Sequence, residues 1–107
     1  MQIINDHINQ IRELCLNHHV KNLYAFGSVL TDKFNESSDV DFVVEFEEID
    51  PLEYMDNYFE VKFKLEEILN RKIDLLEAQS LENPIFKKVL NRTKALVYDR
   101  GDKELVN

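Results

Sequence analysis

The chain has 107 residues, of which 44% are hydrophobic and only two each are glycine and proline, so it excludes disorder and fits one globular domain. Thirteen basic against twenty-one acidic side chains give a net charge of −8, which repels a polyanion and argues against direct DNA or RNA binding. The lone Cys15 cannot form an internal disulfide, and no apolar run approaches membrane length, which together point to the cytoplasm and away from membranes.

No repeat, low-complexity tract or linker divides residues 1–107. The stretch "IINDHINQIRELC" places Ile4, Ile8, Ile11, Leu14 and Cys15 on one face of an amphipathic helix. "VKNLYAF" is a β-prone run ended by Gly27. A brief helix is expected after Ser28, then the polar turn "FNESS", then the strand "DVDFVVEF". "EEIDP" is a turn in which Pro51 suits a helix start. A long helix follows from Leu52 to Leu69, with Met55, Tyr58, Phe59, Leu65 and Leu69 at helical spacing. "RKIDLLEA" is a second buried strand, Asn83-Pro84 caps and opens a last helix, and "KALVY" reads as an edge strand. Helices alternating with strands predict an α/β class: a small mixed sheet packed with helices.

The stretch "AFGSVLTDKFNESSDVDFVVEF" carries the chemistry. Strand alternation puts Asp39 and Asp41 on one face, where their oxygens can converge. At roughly 4–5 Å and an effective dielectric near 20, two such charges repel by about 3–4 kcal/mol. Mg²⁺, or Mn²⁺ in its place, would offset this, because a hard cation takes carboxylate and phosphate oxygens together. Gly27-Ser28 supplies the phosphate end. Glycine permits close backbone approach, the N–H groups of a new turn face outward, and the Ser28 hydroxyl can donate. Asp74 in "KIDLLE" is the one acidic residue embedded in the second apolar strand. Paired beside the first strand, it would complete a two-metal centre and could accept the proton of an attacking hydroxyl. Glu77 is a weaker candidate, since it falls where that strand should end.

Other polar and aromatic residues read as structural. His18-His19 sit at a helix end, where imidazole meets free carbonyls, and His7 reads as a surface residue. Cys15 belongs to an apolar face. Tyr54, Tyr58, Phe59 and Phe63 read as core, with Tyr54 and Tyr58 able to contribute to a partner surface. Arg71-Lys72 and Lys87-Lys88 read as solvated pairs that could assist a phosphate.

"GSVLTDKFNESSDVD" resembles the G-S-x10-D-x-D signature of the DNA polymerase beta nucleotidyltransferase superfamily. The apolar flanks "LYAF" and "FVV" fit it, and the size resembles the minimal nucleotidyltransferases (MNT) of prokaryotes. The resemblance implies the polymerase beta-like nucleotidyltransferase fold, with Gly27 and Ser28 on the nucleotide phosphates, Asp39 and Asp41 on Mg²⁺, and Asp74 as third carboxylate. It also implies transfer of AMP from Mg-ATP to a hydroxyl, with release of pyrophosphate. The chain has little room for an acceptor-recognition domain, so the acceptor is expected on another protein. The resemblance suggests a tyrosine of a HEPN-type ribonuclease toxin, which would make this chain a type VII-like antitoxin. Two alternatives stand beside it: a non-catalytic module that masks the same partner, and a transferase acting on a small-molecule hydroxyl. One departure from the family pattern is that Thr31-Asp32 stand where many members carry a basic residue, the first cation being Lys33.

Overall fold

A computed structural model describes residues 1–101. The elements run α1 (Gln2–Asn5), α2 (Ile8–Asn17), β1 (Val20–Phe26), a 3-10 turn (Gly27–Leu30), β2 (Val40–Phe46), α3 (Pro51–Leu69), β3 (Ile73–Glu77), a second 3-10 turn (Ala78–Ser80), α4 (Pro84–Thr93) and β4 (Ala95–Asp99). The strands form one sheet in the order β3-β2-β1-β4. β1 is antiparallel to both β2 and β4, whereas β2 and β3 are parallel. The sheet is therefore mixed, as expected, and β4 lies on its edge.

The N-terminal periodicity is right but its helix is not continuous. α1 stops at Asn5 and α2 starts after His7, whose φ of −122° is not helical. Asn5 and Asp6 are poor interior helix residues because their side chains compete for backbone groups. Asp6 bonds Gln2 Nε2 instead, at 2.6 Å, and the His7 ring meets the Ile3 carbonyl at 2.9 Å. Ile4, Ile11, Leu14 and Cys15 are nevertheless buried, with Ile8 packed at the margin. The Cys15 thiol is pushed up to about 12 by that burial, so it is inert packing.

Three residue choices set the later helices. The Asp50 carboxylate accepts from Leu52 N at 3.0 Å and Pro51 opens α3; Asn70 closes it in the left-handed conformation, with φ 52°. Asn83 Oδ1 accepts from both Ile85 N and Phe86 N to start α4.

The core lies between α2, α3 and one face of the sheet. Val40, Phe42 and Val44 of β2, Leu23 and Ala25 of β1, and Ile73 and Leu75 of β3 all point into it. α3 answers with Val61, Leu65 and Leu69, and with Tyr54 and Tyr58 packed partly against the cluster. Here the aromatic expectation is corrected. Met55, Phe59 and Phe63 are 56%, 40% and 57% exposed, together with Leu52 at 90%. The buried stripe runs 54-58-61-65-69, and a residue one position further along a helix is turned by about 100° out of it. α4 covers part of the opposite sheet face, where Phe86 meets Phe26 edge-on at 6.2 Å.

The opposite fates of these side chains are measurable by urea denaturation. Val61→Ala should destabilise by about 1–3 kcal/mol, since it leaves a cavity under α3. Phe63→Ser should stay within about 0.5 kcal/mol of wild type. A large loss for Phe63→Ser would mean that its ring is buried.

Candidate active site

The parallel pairing of β2 with β3 sets Asp41 directly beside Asp74. Both carboxylates lie on the sheet face opposite the core, because their neighbours Val40, Phe42, Ile73 and Leu75 are buried on the other side. Asp41 is half-buried, while Asp39 and Asp74 are exposed. Asp39 lies one residue before β2 rather than inside it, which shortens the expected strand by that residue. The carboxyl of Asp41 is nevertheless raised above its usual range, first by burial and then by the charges of Asp74 and Asp39. The three acids thus share one electrostatic neighbourhood.

β1 supplies the fourth wall. Phe26 is the register partner of Asp41, so the chain leaves β1 into Gly27 directly at that carboxylate. Gly27 has φ +76°, and a Cβ there would fall 2.6 Å from Asp41 Oδ2. Glycine is required on both counts, conformation and space. The expected brief helix is a single 3-10 turn beginning at Gly27 itself, closed by Thr31 N and Thr31 Oγ1 donating to the Ser28 carbonyl, each at 2.9 Å. So short a turn sums little dipole, and a phosphate there would be held by individual N–H groups and the hydroxyl. Among the described residues the half-buried Ser28 hydroxyl makes no side-chain hydrogen bond. Thr31, one of the two residues noted in place of a basic side chain, braces the turn and also accepts from Lys33 N at 3.3 Å.

Glu77 does not join the acids. Three residues after Asp74 along a strand, it points to the core side, where the Tyr54 hydroxyl donates to it and the Tyr58 hydroxyl donates to the Leu75 carbonyl at 2.6 Å. Both phenols are raised, chiefly by burial. His18 caps α2 through the Leu14 carbonyl and pairs with Glu60, each at 3.0 Å. Arg71 is no solvated cation: its guanidinium binds two loop carbonyls. Sequence reasoning missed that role, and only the arginine's place just before a strand could have hinted at it.

Residues 9–103 match the model of the family "Polymerase beta, Nucleotidyltransferase". The chain belongs to this nucleotidyltransferase family. It is 35% identical over 88 residues to "Protein adenylyltransferase MntA" of Thermococcus cleftensis, spanning 82% of this chain and 83% of the relative. Among solved structures it is similar to a "putative minimal nucleotidyltransferase", with TM-score 0.72, 26% identity and coverage of 87% and 91% of the two chains. It also shares the fold, at TM-score 0.62 and 19% identity over 99% and 79% of the chains, with a complex of tri-AMPylated Shewanella oneidensis HEPN toxin and MNT antitoxin.

The donors of this candidate site suit a hard divalent cation. All three side chains offer only oxygen, and among the described residues no basic side chain forms an ion pair with any of them. The repulsion of Asp41 by Asp74 and Asp39 is thus not offset by an ion pair to any of the three. No three acidic, His or Cys side chains among the described residues form a ready-made metal cluster. Ligand oxygens would have to complete the shell, as Mg²⁺ commonly requires.

Two measurements probe this geometry. The folded-state pKa of Asp41 lies above its unfolded value, so the folded chain binds more protons between the two and stability falls as pH rises through that window. In chelator at neutral pH, Asp41→Asn should raise Tm slightly, and this gain should fade as pH falls through that window and vanish by about pH 3, where the acid is protonated in both states. A lower Tm for the variant would make the carboxylate structural. Gly27→Ala should cost about 1–2 kcal/mol in denaturant melts from its left-handed backbone alone, and wild-type stability in that variant would contradict the close approach to Asp41.

Proposed function

We propose that this protein transfers AMP from ATP to a hydroxyl of a partner protein, in the manner that the names of its relatives describe. The observation that carries the reading is the in-register pair Asp41–Asp74, facing a glycine turn that leaves no room for a Cβ beside Asp41 Oδ2. Phosphate and the cation that phosphates carry would meet at that point.

In this reading Gly27 and Ser28 hold the triphosphate through backbone N–H groups and the Ser28 hydroxyl, which has no competing side-chain partner among the described residues. Asp39, Asp41 and Asp74 would hold Mg²⁺ or Mn²⁺, which supplies charge stabilisation at the phosphoryl oxygens when bound. An Asp74 carboxylate oxygen accepts the proton of the incoming hydroxyl; its exposure leaves it open to an acceptor. The new bond joins the acceptor oxygen to the α-phosphorus, and the bond to pyrophosphate breaks. Half-burial of Asp41 reduces its contact with water, and fixed charges act more strongly there than in bulk solvent.

The acceptor proposed is a tyrosine of a HEPN-type toxin, by likeness to the AMPylated toxin complex, and the chain would then serve as antitoxin. Such an acceptor needs a docking surface. Leu52, Met55, Phe59 and Phe63 offer one along α3, with Phe59 and Phe63 stacked at 5.6 Å. That same exposed stripe favours a second reading, a module that masks its partner without turnover.

The two readings separate by mass. With ATP-Mg²⁺ and a HEPN-type toxin supplied as acceptor, an enzyme raises the partner's intact mass by whole AMP units. Asp39→Asn should cut the labelling rate at least about a hundredfold, since each 1.36 kcal/mol of lost charge stabilisation is tenfold. Asp74→Asn should do the same while retaining nucleotide binding, and Ser28→Ala should be milder. An unmodified partner that the Asp39→Asn/Asp41→Asn variant still neutralises would establish masking in place of catalysis.

A further inference from the structure

Asp39 belongs to neither a helix nor a strand, yet it must hold its place beside Asp41 if it is to share a cation with it. Two anchors flank it. On its C-terminal side, Val40 N donates to the Lys72 carbonyl at 3.1 Å and ties the entry of β2 to the approach to β3. On its N-terminal side, Arg71 Nη1 donates to the Ser38 carbonyl at 2.7 Å and to the Asn35 carbonyl at 2.9 Å. The guanidinium also lies 4.6 Å from the centre of the Phe34 ring, and that ring packs against the core. The turn it grips is self-braced: Asn35 N donates to Ser38 Oγ, and Ser37 N donates to Asn35 Oδ1.

We infer that Arg71 is a positioning residue for the nucleotidyl transfer site: it clamps the Phe34–Ser38 loop to the root of β3 and thereby holds Asp39 beside Asp41 and Asp74. The reasoning is geometric. Arg71 stands three residues before Asp74, so the clamp links the loop that carries one acid to the strand that carries another. One nitrogen, Nη1, bonds both carbonyls while the guanidinium plane lies over the Phe34 ring, and a lysine's flexible point charge has no plane to stack there. The inference rests on the reading of Asp39 as a cation-binding carboxylate.

The test uses the full chain with Mn²⁺ as probe, its binding followed by electron paramagnetic resonance in the absence of any acceptor. Groups that orient a metal-binding side chain typically contribute about tenfold or more to metal affinity. Arg71→Lys should therefore weaken Mn²⁺ binding about tenfold, and amide exchange at Ser38–Asp39 should accelerate while the α3 amides stay protected. Phe34→Leu, which removes the stack and spares the arginine, should shift both readouts the same way by a smaller factor, and it serves if the lysine variant folds poorly. The deciding measurement is the cycle with Asp39→Asn. If Arg71 acts through Asp39, Arg71→Lys adds no further loss of Mn²⁺ affinity in the Asp39→Asn background. An undiminished additional loss in that background, or wild-type affinity in Arg71→Lys and Phe34→Leu, overturns the inference. Failure of the underlying reading looks different: Asp39→Asn alone would then leave Mn²⁺ binding unchanged.

Discussion

Everything at the site depends on the parallel pairing of β2 with β3. It sets Asp41 against Asp74, an apposition of like charges that a sheet ordinarily avoids because it is destabilising. The pairing survives because the other face of the same two strands buries Val40, Phe42, Val44, Ile73 and Leu75. Each such side chain contributes about 1.5–3 kcal/mol on burial. A one-residue slip of β3 would turn its apolar residues into solvent and Asp74 into the core. Hydrophobic register therefore enforces the electrostatic strain. Parallel strands need a long crossover, and α3 is that crossover.

The sheet divides labour between its faces. One face and the helices α2 and α3 make the core; Glu77 is absorbed there by the Tyr54 hydroxyl, which removes it from the acidic group. The other face carries Asp41 and Asp74 beside the edge-on pair of Phe26 with Phe86 from α4. Arg100, at the end of β4, ties the periphery together by donating to the Val20, Cys15 and Leu16 carbonyls and pairing with Glu47 at 3.2 Å. It satisfies the free carbonyls at the C-terminal end of α2, as a cation there should.

Only part of α3's apolar surface serves the fold. Val61, Leu65 and Leu69 are spent on the core, whereas Leu52, Met55, Phe59 and Phe63 form a separate outward stripe. The same helix links the two acidic strands across the core face of the sheet, the face opposite the carboxylates, and carries the exposed stripe on its outer side.

Local chemistry in the sequence determined where elements begin and end. Asp50-Pro51, Asn83-Pro84 and Gly27 each act on their own few residues, and α3, α4 and β1 start or stop at the predicted places. The Gly-Ser and Asp-x-Asp spacing was visible in the sequence, but Asp39 lies one residue outside β2, so alternation within one strand does not by itself set it beside Asp41. What the sequence could not decide was phase and partnership. Its α3 has more large apolar residues than one face can hold, and only packing against the sheet selects Val61 over Phe59 for burial. Asp6 and His7 interrupt a helix whose apolar spacing runs on unbroken, since spacing does not register a cap. The neighbour of Asp41, and the carbonyls that Arg71 finds 33 and 36 residues away in the chain, belong to the tertiary structure alone. Strand pairing and guanidinium contacts join segments distant in sequence, and no local propensity encodes which segments will meet.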